Sequence, residues 1–164
     1  MNLSHVILVE LMDSDFAAML RGDANVRTGL TLPPGGVDDP IVLAHVRRLA
    51  ANLLRDGYAG GQWMMVAGGE VVGLCGFKTP PSADGEVELG YGVAASRRRR
   101  GHATAAVGAV IETAQRNPAL RVIVAVTAFD NIASQRVLQR NGFERAGTHA
   151  DPDQGEGILW RRMV

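Results

Sequence analysis

The run RVIVAVTA, from Arg121 to Ala128, is apolar and valine-rich almost without a break. A strand that faces water on one side alternates polar and apolar residues, so this run predicts a strand buried on both faces and central in its sheet. Amphipathic helices bracket it. On one side Ala103, Ala106, Val107, Val110, Ile111 and Ala114 recur at helical spacing until Pro118 ends the pattern. On the other, DNIASQRVLQR predicts a helix from about Asp130 to Arg140, stopped by Asn141 and Gly142, with Phe143 opening another strand.

The remaining elements follow from similar signals. Val6 to Leu11 predicts a first strand, and Ser14 and Asp15 are candidate caps for a short helix carrying Phe16, Met19 and Leu20. From Arg21 to Gly36 periodicity disappears among Gly, Thr and PPGG, which predicts a long irregular connection. Asp39 and Pro40 suit an N-cap and first helical position, and Val42, Val46, Leu49 and Leu53 then share a helix face until Gly57. QWMMVAGGEVVGLCGFKT reads as two strands joined at Gly68 and Gly69, which accept the positive φ of a tight hairpin. GEVELGYGVAA predicts a strand from about Glu86 to Ala94, in which Gly90 and Gly92 mark a bulge or a close backbone approach. GILWRRMV makes the last strand, and TPPSADG and DPDQGEG read as turns. The expected order is β-α-α-β-β-β-α-β-α-β-β in a single domain spanning 1–164.

Composition narrows the function classes. Hydrophobic residues make up 46% and charged ones 21%, the balance of a folded globular chain. Lys plus Arg and Asp plus Glu both total 17, so no overall basic field argues for DNA or RNA, and no nucleic-acid partner is expected. Cys75 is the single cysteine, which excludes an intrachain disulfide framework and makes a reducing cytoplasm the expected location. Its apolar strand favours a buried thiol over an acetyl-carrying nucleophile. The start, MNLSHVILVELMDSD, reads as a strand rather than a signal peptide, and no membrane span is expected. His5, His45, His102 and His149 show no metal-ligand spacing, so no metal is expected. Tyr58, Trp63 and Tyr91 read as core or pocket wall rather than a base-stacking platform.

The positive charge is local instead. Arg97, Arg98, Arg99 and Arg100 stand together where the helix after GEVELGYGVAA begins. A helix amino end is already partly positive, so cations there repel unless an anion joins them. Unpaired N–H groups and Gly101 would let a phosphate approach the backbone, although a solvated charged turn is the plainer alternative. The Lys-Ser/Thr of a Walker A loop and the three glycines of a dinucleotide fingerprint are both missing.

These residues carry a family resemblance. Arg98, Gly101 and Ala103 resemble the (Q/R)-x-x-G-x-(G/A) signature of the Gcn5-related N-acetyltransferases, the GNAT superfamily, whose turn binds the pyrophosphate of acetyl-coenzyme A. Asn131, Ser134, Val137, Leu138, Gly142 and Phe143 resemble the N-x-x-S-x-x-V-L-x-x-x-G-F helix of its branch with ribosomal-protein N-terminal (serine/alanine) acetyltransferases. VELGYGV is similar to the acidic E-x-G-Y strand of that branch. The resemblance implies an α+β fold in three α/β/α layers. Its sheet would be mixed, mostly antiparallel and twisted, with about seven strands splayed between the fourth and fifth.

It also implies roles. Backbone N–H groups of Arg99, Arg100, Gly101, His102, Ala103 and Thr104 would hold the pyrophosphate, with Arg98 adding charge. Val93 would offer backbone groups to pantetheine, Tyr91 on the same strand would belong to the cofactor site, and Asn131 would hydrogen-bond the pantetheine region. A plain helix cap is the alternative for Asn131. An alkyl ammonium with a pKa of about 10 must lose a proton to attack the thioester. Glu88 matches the family's acidic residue and would take that proton directly or through a water; by strand alternation Glu86 could serve equally, or both could line a polar face. The tyrosine that protonates the leaving thiolate in many members is replaced by Leu138. Ser134 is the branch's substitute, a poor acid suited to orienting the thiol. A backbone N–H of the fourth strand would polarise the thioester carbonyl, with no covalent acyl-enzyme.

The implied activity is acetyl transfer from acetyl-coenzyme A to a primary amine, on a protein N-terminus or a small molecule, in a ternary complex. A non-catalytic coenzyme A-binding or sensing module and an RNA-binding surface are the competing classes. The acceptor pocket would come from about Asp15 to Pro40, with Arg21, Asp23 and Arg27, and from Thr148 to Gly157, with Asp151, Asp153 and Glu156. That acidic loop would favour a cationic amine, or be ordinary solvated turn. The sequence does not specify an oligomeric state; a symmetric homodimer is the default expectation.

Overall fold

The computed structural model describes residues 5–152 and 155–164. Met1 to Ser4, ahead of the expected first strand, and Asp153 and Gln154 of the acidic loop lie outside the described residues. The chain begins with β1 (Ile7–Glu10) and α1 (Asp13–Arg21), then β2 (Asn25–Arg27) and β3 (Leu30–Thr31). After α2 (Pro40–Arg55) come β4 (Gln62–Ala67), β5 (Glu70–Phe77) and β6 (Glu86–Val93). A single 3-10 turn at Ala95–Arg97 leads to α3 (His102–Gln115), β7 (Val122–Thr127), α4 (Ile132–Arg140), β8 (Glu144–Asp151) and β9 (Gly155–Met163).

The sheet runs β1-β4-β5-β6-β7-β9-β8, so β7 is interior, paired to β6 on one side and β9 on the other. Along this path only β6 and β7 are parallel neighbours, joined through the α3 crossover. Helices cover both faces. Phe16 and Met19 of α1 and Leu43 of α2 pack with Met64, Val66, Val71 and Leu74 on one side. Val107, Val110 and Ile111 of α3 and Leu138 of α4 pack with Met65, Val87, Leu89 and Ile123 on the other. Adjacent Met64 and Met65 thus serve opposite layers, as strand alternation requires.

Three details depart from the sequence expectations. The connection from Arg21 to Gly36 contains the small hairpin β2–β3, and Thr31 pairs with Glu70 of β5, giving nine strands among the described residues against about seven expected. β6 carries no bulge against β5: the register runs unbroken from Gly73↔Val93 to Phe77↔Leu89, whereas the β4–β5 hairpin shifts register between Met65 and Val66. Gly90 and Gly92 instead make room, since a Cβ there would sit 3.4 Å from Lys78 Cε and 3.3 Å from Asp38 Oδ2. Finally, α1 starts at Asp13, and Asp15 caps it from within by accepting the Met12 N–H at 2.7 Å. In α2 the cap is as expected, Asp39 accepting from the Ile41 N–H at 2.8 Å.

Asp15 is fully buried and also receives both arms of the Arg27 guanidinium, Nε at 2.7 Å and Nη2 more closely, while Nη2 donates to the Glu10 carbonyl. One arginine therefore ties β2 to α1 and β1. Removing it strands a carboxylate without a counter-charge inside the fold. Arg27→Ala is expected to lower unfolding free energy by about 3 kcal/mol in urea denaturation, a loss typical of half-broken buried pairs.

Candidate active site

Between β6 and α3 the backbone bends through two left-handed residues, Arg99 at φ 60 and Gly101 at φ 79. Gly101 is the N-cap of α3 and has no side chain to offer the helix, whose first backbone bond is Ala105 N–H to the Gly101 carbonyl at 3.0 Å. The N–H groups of His102, Ala103 and Thr104 therefore precede the first helical bond and lack intrahelical partners. They open into a cleft of about 700 Å³, walled by the turn, by the end of β6 and by the start of α4. Tyr91, Val93, Arg98 and Asn131 line it together with every residue from Arg99 to Thr104. Donors at a positive helix end are chemically suited to an anion.

Not all the arginine charge is available. Arg97 is committed to Glu70 of β5, with Nε at 2.5 Å and Nη2 at 2.9 Å. Arg98 Nε donates to the Val93 carbonyl at 3.2 Å. Across the cleft, Asn131 caps α4 by accepting the Ser134 N–H at 3.1 Å, so the cap role and a place on the cleft wall coincide. Asn141 locks α4 to the start of α3, its Nδ2 donating to the Thr104 carbonyl at 3.1 Å.

The cleft follows the edge where the sheet opens. β6 pairs with β7 from Glu86↔Val122 to Glu88↔Val124, and the ladder stops there although both strands continue. Glu88 and Ala94 bond to β5, through Lys78 N–H to the Glu88 carbonyl at 2.8 Å and Ala94 N–H to the Val72 carbonyl at 2.9 Å. Alternation then turns the backbone groups of Leu89, Tyr91 and Val93 toward the gap. A second, smaller cleft of about 150 Å³ lies against α2, lined by Asp38, Val42, Val46, Leu49 and Lys78, and it shares Tyr91 and Gly92 with the first. Val42 and Leu49, expected on the core face of α2, wall this cleft instead; Leu43 and Leu53 are its buried residues.

Residues 5–144 match the family described as acetyltransferase (GNAT) domain. The chain belongs to the GNAT acetyltransferase family. An uncharacterized N-acetyltransferase of Bacillus subtilis (strain 168), YjdG, is 34% identical over 74 residues, which is 45% of this chain and 44% of that protein. The match thus spans less than half the length of that relative. Two solved structures share the fold over nearly the whole chain. RimL, a ribosomal L7/L12 α-N-protein acetyltransferase in complex with coenzyme A, superposes with TM-score 0.73 at 18% identity, covering 97% of this chain and 94% of its own. The aminoglycoside acetyltransferase AAC(6')-Ib in complex with coenzyme A gives 0.71 at 21% identity, covering 97% and 95%.

The GNAT fold separates two residues that the sequence grouped by role. Glu88 and Ser134 lie on opposite sides of β6: Val87 and Leu89 point to the α3/α4 layer, so Glu88 points the other way. Lys78 Nζ sits 2.6 Å from Glu88 Oε1, and Lys78 rather than Glu88 lines the smaller cleft. Glu86 is 3.9 Å from Arg161 and lines neither cleft. Ser134 lines the larger cleft, with its Oγ 2.6 Å from the Tyr91 hydroxyl, a partnership absent from the sequence expectations. Burial pushes the Tyr91 phenol up to about 12, while its bond to Ser134 pulls the other way. Leu138 is fully buried in the core. Cys75 is buried too, and burial pushes its thiol up to about 12, so it is no thiolate. Arg21 and Asp23 pair with each other at 2.7 Å on the surface, and Arg27 pairs with buried Asp15. Glu156 is exposed on β9.

Electrostatics at the turn follow from Glu70. The Arg97 guanidinium holds its carboxyl below the ordinary 4.5. Burial, then Arg100 and Arg97, hold the His102 imidazole below its ordinary value, with Glu70 acting the other way. Because the folded value of Glu70 is depressed, the Glu70–Arg97 pair stabilises the fold fully above pH 4.5 and loses that effect as pH falls through the folded value. Glu70→Gln should lower stability by about 1 kcal/mol at neutral pH, the difference closing in acid when urea midpoints are compared at both.

Proposed function

We propose that this protein transfers the acetyl group of acetyl-coenzyme A to a primary amine by direct attack in a ternary complex. The observation that carries this reading is the junction of the two clefts at Tyr91 and Gly92: one leads from an unpaired N–H turn along an open strand edge, the other opens from the α2 side. A long molecule with a diphosphate in its middle fits the first. His102, Ala103 and Thr104 would donate N–H groups to the pyrophosphate, with Arg98, Arg99 and Arg100 around it. Amide groups of the pantetheine arm would meet the backbone of Tyr91 and Val93, where a strand partner is missing. Bound acetyl-coenzyme A supplies an activated thioester; the chain's own part is to hold it, exclude water and manage protons.

The acceptor amine would enter by the smaller cleft, past Asp38 and between Val42 and Val46. An amine with a pKa of about 10 needs a base at neutral pH. Glu88 is the candidate on that side of β6; with Lys78 between it and the cleft, it would work through a water. The Tyr91 N–H would polarise the thioester carbonyl. RimL is described as acting on ribosomal L7/L12 and AAC(6')-Ib on aminoglycosides, so a protein N-terminus and a small-molecule amine both remain acceptor classes for this chain. A cytoplasmic setting accords with the lone buried Cys75 thiol. Among the described residues no helix is long and apolar enough to cross a membrane. A symmetric homodimer stays the default assembly.

The Glu88–Lys78 pair and buried Leu138 favour one second reading, a coenzyme A-binding module without transfer. Calorimetric titration with acetyl-coenzyme A should give micromolar binding that weakens as salt rises, since phosphate–arginine attraction is screened. No binding would sink both readings. With peptide and small-molecule amines, Glu88→Gln should lower kcat by about 100-fold while the Kd for acetyl-coenzyme A stays the same. Unchanged turnover would remove Glu88 as the base, and binding without transfer by the native protein would leave the module.

A further inference from the structure

The departing sulfur meets no tyrosine on α4, because Leu138 is sealed in the core, and Ser134 is the hydroxyl that α4 offers instead. Tyr91 stands on β6, lines both clefts, and faces α4. Its hydroxyl oxygen lies 2.6 Å from Ser134 Oγ and 3.2 Å from the Ser134 carbonyl. With phosphates at the α3 turn, the reactive end of an extended ligand lies at the other end of the same cleft, where the smaller one opens. The Tyr91–Ser134 pair occupies that place.

We propose that Tyr91 is a positioning residue for acetyl transfer: its phenol donates to Ser134 Oγ and so turns the serine's own proton toward the thiolate leaving coenzyme A. The proposal rests on the acetyltransferase reading above. A hydroxyl has one proton and two lone pairs. When the phenol donates to Oγ, the serine proton cannot point back at the phenol and is left for the cleft. The 2.6 Å contact admits either hydroxyl as donor; this arrangement puts the phenol proton there rather than on the longer, 3.2 Å path to the Ser134 carbonyl. A thiolate at the cleft end reinforces it, since a chain of two O–H donors aimed at one anion is mutually polarising.

Proton energetics decide between donating a hydrogen bond and donating a proton. A phenol pushed up to about 12 is a far weaker acid than a thiol of about 8.5, so Tyr91 keeps its proton when the thiolate forms. Serine is weaker still. In the transfer step the amine lone pair forms the C–N bond, the C–S bond breaks, and its electron pair leaves on sulfur. The surplus ammonium proton passes to the base or to water. Ser134 and Tyr91 both remain protonated, and the thiolate takes its proton from solvent afterwards.

Tyr91→Phe removes one oxygen and keeps the ring. It is expected to lower kcat by about 10-fold, the worth of one hydrogen bond to developing charge, with KM for acetyl-coenzyme A within about twofold. Because Tyr91 acts through Ser134, Tyr91→Phe should cost nothing further in a Ser134→Ala background. Losses that multiply, an effect confined to KM, or an unchanged Ser134→Ala would overturn the proposal. A second readout needs no acceptor: the pH dependence of iodoacetamide alkylation of bound coenzyme A gives the pKa of its thiol, with buried Cys75 out of reach. The bound thiol should titrate about one unit lower in the native protein than in Tyr91→Phe, and equal values would refute the role. If the native protein binds acetyl-coenzyme A but acetylates no amine, the enzyme reading fails while this titration still decides for or against Tyr91.

Discussion

Strands β6 and β7 share hydrogen bonds only as far as Glu88 and Val124, and the site depends on their parting there. Each strand keeps its outer partner, β5 for β6 and β9 for β7, so the sheet stays anchored on both sides of the gap. Only the inner ladder is given up. Tyr91 and Val93 then hold backbone donors and acceptors that nothing in the sheet satisfies, on a wall already apolar from α3 and α4. Unpaired backbone groups are costly when buried, so such an edge belongs against water or a ligand that can pair with it. The cleft runs along it.

The second determinant is the start of α3. Left-handed residues at Arg99 and Gly101 turn the chain so that the first helical N–H groups face the cleft, and a glycine N-cap leaves them uncapped. Charge is arranged around this end by subtraction. Glu70 neutralises Arg97, while Arg98, Arg99 and Arg100 remain on the cleft wall. The hairpin β4–β5 thereby contributes to the electrostatics of a turn well removed from it in sequence. It also lays β5 beside β6, which fixes which edge of β6 is left open.

Regular elements with a strong period were legible in the sequence. The valine run became interior β7, the alanine and valine stripe became α3, and Asp39 capped α2. The arginine turn and Asn131 stood in the sequence at spacings that the family shares, and both line one cleft. Short or side-chain-driven features were not legible. β2 and β3, of 3 and 2 residues, are too brief to show alternation. Arg27 holds Asp15 across twelve positions, and Tyr91 meets Ser134 across 43, distances over which spacing predicts nothing. Gly90 and Gly92 signalled that something comes close to β6; only the fold shows that Lys78 and Asp38 are what come close.

By itself, then, the sequence determined the identity and order of the main elements, the family, and the place of the arginine turn at the start of α3, because periodicity, caps and glycines act over a few residues. Tertiary structure decided the rest. It placed Glu88 on the α2 side of β6 beside Lys78 and Ser134 on the α4 side beside Tyr91, and it joined the two clefts between them. Those outcomes depend on which strands pair and where the pairing stops. That is settled by the packing of the α1/α2 and α3/α4 layers on a shared sheet, which no local pattern encodes.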